Sequence, residues 1–179
     1  MEQHDLRYRI SYRDIKYPRL EFTTGELLLV LPFGHKHEML LEKHNGWIWE
    51  RVNFIGECLQ EAAGKKLFER TNKEFKDIVY SSVKKASKEL DVKVRGVYFR
   101  KMRTKWASLS SKKNLTINRV MMYLPLHLIK YVILHEMTHL IEKRHNDRFW
   151  GMLLERCKRY REMEKEMFIY WVIINRHTH

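Results

Sequence analysis

His135-Glu136-Met137-Thr138-His139 is the stretch of this chain where residue types and spacing specify chemistry most closely. Residues four apart stack on one face of a helix, so His135 and His139 can turn imidazole nitrogens toward a common ion about 2 Å away. Glu136 sits roughly 100° further round. That takes it off the ligand seam but leaves it able to accept a proton from a water molecule beside the ion. The pattern is HExxH: two metal ligands and a general base, with one Zn2+ as the ion it suits. The competing reading is a pair of hydrogen-bonded core histidines with no ion.

The surrounding sequence favours the ion. Leu124 to Ile141 reads LPLHLIKYVILHEMTHLI, apolar on every side, which predicts a buried helix with Pro125 in its first turn. Polar groups inside such a helix need partners, and a metal supplies one. His127 lies too far along the axis to join, about 12 Å before His135. A hydrolytic zinc site keeps three protein ligands and one open position. His145 leads the candidates for the third ligand, with the helix ending before it and Asn146 or Asp147 capping a new helix at Arg148-Phe149-Trp150. Glu142 competes for that place. Glu155 and Glu162 would serve if a later helix supplied the ligand.

Length and composition frame these elements. A chain of 179 residues, 44% hydrophobic with only 7 Gly and 3 Pro, has one-domain size and excludes disordered or collagen-like classes. It reads as a single domain over 1–179, with an N-terminal part at 1–63 and a core at 64–179. Cys58 and Cys157 form no CxxC, so a disulfide scaffold is excluded and a cytoplasmic home is expected. The polar N-terminus is no signal peptide. The longest apolar run, Met167 to Ile174, is far short of the roughly twenty residues a bilayer crossing needs, so no membrane partner is expected.

The fold class is α+β, with small antiparallel sheets packed against helices. Arg7 to Val30 alternates polar and apolar residues and reads as an antiparallel meander turning at Thr24-Gly25. His35 to Ala63 is helical with a break at Gly46. Asn72 to Leu90 is a second helix, its apolar residues close to a 3.6-residue period. VKVRGVYFR and NLTINRV read as strands joined by a polar connection, RTKWASLSSKK. Trp106 and Trp150 read as core or loop anchors, and the terminal MFIYWVII as a buried closing element.

Charge is concentrated in the middle of the chain. Residues 64–119 carry 17 basic and 5 acidic residues, against 8 and 10 in residues 1–63 and 10 and 7 in residues 120–179. The 64–119 segment is either a solvated face or a footprint for an anion, DNA above all.

HEMTHLIEKRHNDRFW resembles the signature HExxH, five residues, His, three residues, Phe-Trp of the YgjP-like and WLM groups of SprT-type zinc metallopeptidases. RTKWASLSSKKNLTINRV is similar to that family's Trp-Gly-Ser-Cys loop and the strand after it, and the meander and WIWERV helix match the YgjP-like layout. The resemblance implies a zincin-like fold with a central buried HExxH helix, zinc on His135, His139 and His145, and Glu136 as base. It also implies that LTINRV pairs with an extended peptide. Two departures stand out. Ala107-Ser108-Leu109 replaces Gly-Ser-Cys, so no thiol role carries over, and Glu142 stands where the metzincin pattern has Gly.

These readings converge on a zinc-dependent metallopeptidase acting on protein or peptide, with substrates near nucleic acid as the expectation from the 64–119 charge. The alternatives are a metal-dependent nucleoside triphosphate pyrophosphohydrolase and a metal-stabilised nucleic-acid-binding module without catalysis. Arg103, Lys105, Asn118 and Arg148 are candidates for binding substrate and stabilising an oxyanion. Oligomeric state is open.

Overall fold

The computed structural model describes residues 8–23 and 26–177. The turn expected at Thr24-Gly25 lies outside the described residues. The protein is α+β, and the chain divides after Gly64 into two compact units.

The first unit holds strands β1 (Tyr8–Tyr12), β2 (Arg19–Thr23) and β3 (Glu26–Leu31) and helices α1 (His37–Lys43) and α2 (Asn45–Ala62). Its sheet is mixed rather than an antiparallel meander. The order is β1-β3-β2, with β3 antiparallel to β2 but parallel to β1. The reason lies in β3, ELLLVL, whose Leu27, Leu29, Val30 and Leu31 are buried. The most apolar strand takes the centre and the charged strands take the edges. The helical break falls at His44, and Gly46 already lies in the first turn of α2.

The second unit starts with α3 (Asn72–Leu90). Thr71 and Glu74 form a reciprocal capping box at its start, and Asp91 ends it in the left-handed region at φ 51°. Strands β4 (Gly96–Arg100), β5 (Ala107–Leu109) and β6 (Asn114–Asn118) follow, then a 3-10 turn at Arg119–Tyr123. This sheet is also mixed, in the order β4-β6-β5, with β6 parallel to β4 and antiparallel to β5. Since β6 has a strand on both sides, the expected pairing of LTINRV with a peptide is excluded: its backbone groups already face β4 and β5. The outer strands are β4 and β5, and β5 lies inside the stretch read as a polar connection.

Helices α4 (Leu126–Thr138), α5 (Asp147–Arg156) and α6 (Tyr160–His177) complete the unit. Leu128, Ile129, Ile133 and Met137 of α4 are fully buried among Leu115 and Ile117 of β6 and Phe149 and Leu153 of α5. Pro125 caps α4 from outside rather than opening its first turn. The apolar stretch of α6 is buried as expected, including Met167, Tyr170 and Ile174.

A charged cluster ties α6 to the start of this unit. Glu166 accepts from Lys65 Nζ at 2.7 Å and pairs with His127 Nε2 at 2.8 Å. Burial alone would raise its pKa, but these two partners hold the carboxyl below the ordinary range. A depressed carboxylate contributes stability above its unfolded pKa and loses it as pH falls through the folded value. Glu166→Gln should therefore cost about 1–2 kcal/mol near neutrality. The gap in Tm between the two proteins should close once the pH falls below the ordinary carboxylate range and through the depressed value of Glu166. Thermal melts at neutral and acid pH check this, and an equal gap at both would refute the assignment.

Candidate metal centre

α4 carries His135, Glu136 and Thr138 at its C-terminal end. The helix stops at Thr138, with His139 as its C-cap, so His135 lies within the last turn and His139 just past it. The chain turns through Leu140 and Ile141, whose N–H groups bond back to Met137 and Thr138. It then reaches Asn146, whose side chain accepts from the Phe149 N–H and starts α5. His145 immediately precedes that cap. The capping residue thus fixes where the loop histidine is delivered.

His135, His139 and His145 converge, with one nitrogen of each within 4.8 Å of the others. The Nε2 atoms of His135 and His145 are 2.9 Å apart. His139 points Nδ1 at the Glu142 carbonyl oxygen, 3.1 Å away, which leaves Nε2 as its ligand atom. Tetrahedral zinc with bonds of about 2.0–2.1 Å sets its ligand nitrogens about 3.3 Å apart, so small ring movements would suffice. Protonation also favours a metal. Burial, with His139 and His145 beside it, holds His135 down at about 4, and desolvation and His139 lower His145. Both are neutral imidazoles near pH 7, the form a metal needs. The donor set fits the ion.

Aromatic rings hold these imidazoles in place. Phe149 stacks on His139 at 4.7 Å, and Trp150 stacks on His145 at 5.5 Å. Tyr160 backs Trp150 from the other side at 5.1 Å. Trp150 is therefore more than a loop anchor, because it lies against the histidine that no helix holds. On α6, Glu164 accepts from the Tyr131 hydroxyl at 2.5 Å and lies 3.8 Å from His135 Nδ1. Nothing in the sequence marked Glu164; its role depends on a fold-back from α6 to α4.

Glu136 faces β5. Burial raises its carboxyl pKa, while His139, the Leu109 N–H and the Lys105 charge act to lower it. The contact with Leu109 agrees with the register of the strand. The Asn118 N–H bonds the Trp106 carbonyl and the Ser110 N–H bonds the Asn114 carbonyl, so Trp106 and Ser110 face β6. Alternation then turns the backbone of Ala107 and Leu109 to the open edge.

The remaining candidates separate. Glu142 is occupied in the loop, where its carboxylate accepts from the Arg144 N–H. Glu155 pairs with Arg156, and Glu162 with Arg159. None of the three joins the histidine cluster. Arg103 and Lys105 are exposed in the loop before β5, and the charge of Arg148 acts on Glu142. Asn118 is fully buried, and its amide bonds the Met102 and Lys105 carbonyls and the Met102 N–H. Its side chain staples the loop.

A family model described as YgjP-like, metallopeptidase domain, matches residues 10–168. Two solved structures are similar to the chain. The metallopeptidase zymogen of Pyrococcus abyssi abylysin is 21% identical with a TM-score of 0.46, over 50% of this chain and 90% of that one. The metallopeptidase zymogen of Methanocaldococcus jannaschii jannalysin is 25% identical with a TM-score of 0.47, over 50% of this chain and 93% of that one. No curated protein matches.

Proposed function

The chain belongs to the YgjP-like metallopeptidase family and is a metal-dependent peptidase; from that premise we propose that one zinc ion is held by His135, His139 and His145, with Glu136 as general base. The observation that carries the proposal is the convergence of three imidazoles beside a half-buried carboxyl. Zinc held there would bring the pKa of a water molecule toward neutrality and polarise the scissile carbonyl. Glu136 takes the proton of the attacking water and returns it to the leaving amine. Its position beside the Leu109 N–H sets it against the edge strand, where the outward-facing N–H and C=O of Ala107 and the C=O of Leu109 can align an extended substrate. Of the four oxyanion candidates, Lys105 has the strongest support, since its charge is felt at Glu136. Arg103 and Arg148 remain candidates for contacts further along the substrate, and the buried amide of Asn118 supports a structural task instead.

Neither cysteine forms a disulfide, and among the described residues no helix is long and apolar enough to cross a membrane. Both facts are compatible with the proposed cytoplasmic setting. DNA association is a second reading supported by charge alone: Lys73, Lys76, Lys84 and Lys88 are all exposed on α3.

One screen tests the function. Purified zinc-loaded protein is offered unfolded proteins, with and without DNA, and nucleoside triphosphates. Cleavage of protein that stops on chelation and returns with zinc is expected. Triphosphate hydrolysis with no protein cleavage would overturn the reading.

A further inference from the structure

The stretch 91–119 contains nine lysines and arginines and a single carboxylate, Asp91. All ten are exposed. Among the described residues, none of the nine cations is in an ion pair with a carboxylate. Like charges left unpaired repel one another and weaken the folded state. Their placement, rather than their number, carries the argument. Arg103 and Lys105 stand just before the edge strand β5, and Lys112 and Lys113 stand just after it.

The two groups are held differently, and both are held. Asn118 staples the loop bearing Arg103 and Lys105 through the Met102 and Lys105 carbonyls. Lys112 and Lys113 sit in a tight turn, closed by the Lys113 N–H on the Ser110 carbonyl at 2.9 Å. Lys113 adopts φ 59°, the left-handed region where glycine or asparagine would be less strained. A solvated turn gains nothing from a lysine there.

We infer that the peptidase selects acidic stretches of polypeptide, read by the cations that bracket β5. The inference rests on the proposed function, specifically on substrate lying along the open edge of β5 next to Glu136. At about 3.3 Å per residue, the two cationic groups lie on the order of 17 Å apart along the strand direction. A paired substrate would bring side chains a few positions to either side of the scissile bond within reach of one group or the other. Aspartates and glutamates there meet cations that no ion pair occupies, Lys105 alone among the four acting on a nearby protein carboxylate, Glu136. Neutral residues find no partner, and basic ones are repelled.

The test uses the zinc-loaded full chain and three fluorogenic peptides of one core sequence, flanked by Glu, Gln or Lys. The expected kcat/KM for the Glu peptide exceeds that for the Gln peptide by about ten-fold at low salt. That ratio should fall as ionic strength rises. K112Q combined with K113G should move the ratio toward one while Tm holds or rises, because glycine relieves the strain at that position. Equal cleavage of all three peptides, or preference for Lys, overturns the inference and leaves the peptidase standing. If no peptide or unfolded protein is cut, the proposed function itself fails. Salt-sensitive binding of a DNA oligonucleotide that K112Q/K113G abolishes, with no peptide preference, would assign these cations to nucleic acid and overturn the inference.

Discussion

Glu136→Gln is expected to bind metal at wild-type stoichiometry while peptide hydrolysis falls by a factor of roughly a hundred to ten thousand. Glutamine keeps the shape and still accepts the Leu109 N–H that the carboxylate meets, so the local packing survives. The lost property is proton acceptance. The histidines proposed to hold the ion are separate side chains with their own supports: the Glu142 carbonyl for His139, stacking on Trp150 for His145. Metal content by atomic emission, together with kcat on an unfolded protein, checks the split. Activity near wild type would remove Glu136 from the mechanism, and loss of metal would recast it as part of the ligand shell.

His145→Ala is expected to lower zinc affinity and Tm together. Metal binding free energy is folding free energy when the ligands come together only in the folded chain, and here they come from α4, its C-cap and a loop. The control is Glu142→Ala. The Glu142 side chain bonds the Arg144 N–H, whereas the link to His139 runs through the Glu142 backbone carbonyl, which alanine retains. Zinc content should therefore stay near wild type in that variant. Zinc titration and melting curves with and without metal decide the matter, and reversed outcomes for the two variants would overturn the ligand set.

The helices up to α5 and the histidine cluster were legible in the sequence because their signals are local, whereas α6 was read only as a buried closing element. The 3.6-residue period of α3 placed it over Asn72 to Leu90, and the turn-prone pair Asn146-Asp147 placed the start of α5 at Arg148, one residue late. Strand pairing is not local. The alternation in β1 and β3 predicted strands but carried no direction, so a parallel pair was read as antiparallel. β5, at three residues, is too short for alternation to register, and its neighbours Arg103, Lys105, Lys112 and Lys113 made it look like a loop. That one omission also placed the expected peptide pairing on β6, which has a strand on both sides. Glu164 and the stacking of Trp150 escaped for a similar reason: each acts across elements that sequence spacing does not relate.

The Asn118 staple has a consequence for how such an enzyme changes over time. Every hydrogen bond its side chain makes goes to backbone atoms: the Met102 N–H and carbonyl, the Lys105 carbonyl and the Val120 N–H. Backbone atoms are common to all residues, so the loop keeps its path whatever side chains stand at 103 and 105. On the inferred role of these cations, substitutions at those two positions would alter which substrates are taken without disturbing the strand behind them. Conformation and preference are inherited through different residues, and a lineage can alter one while keeping the other.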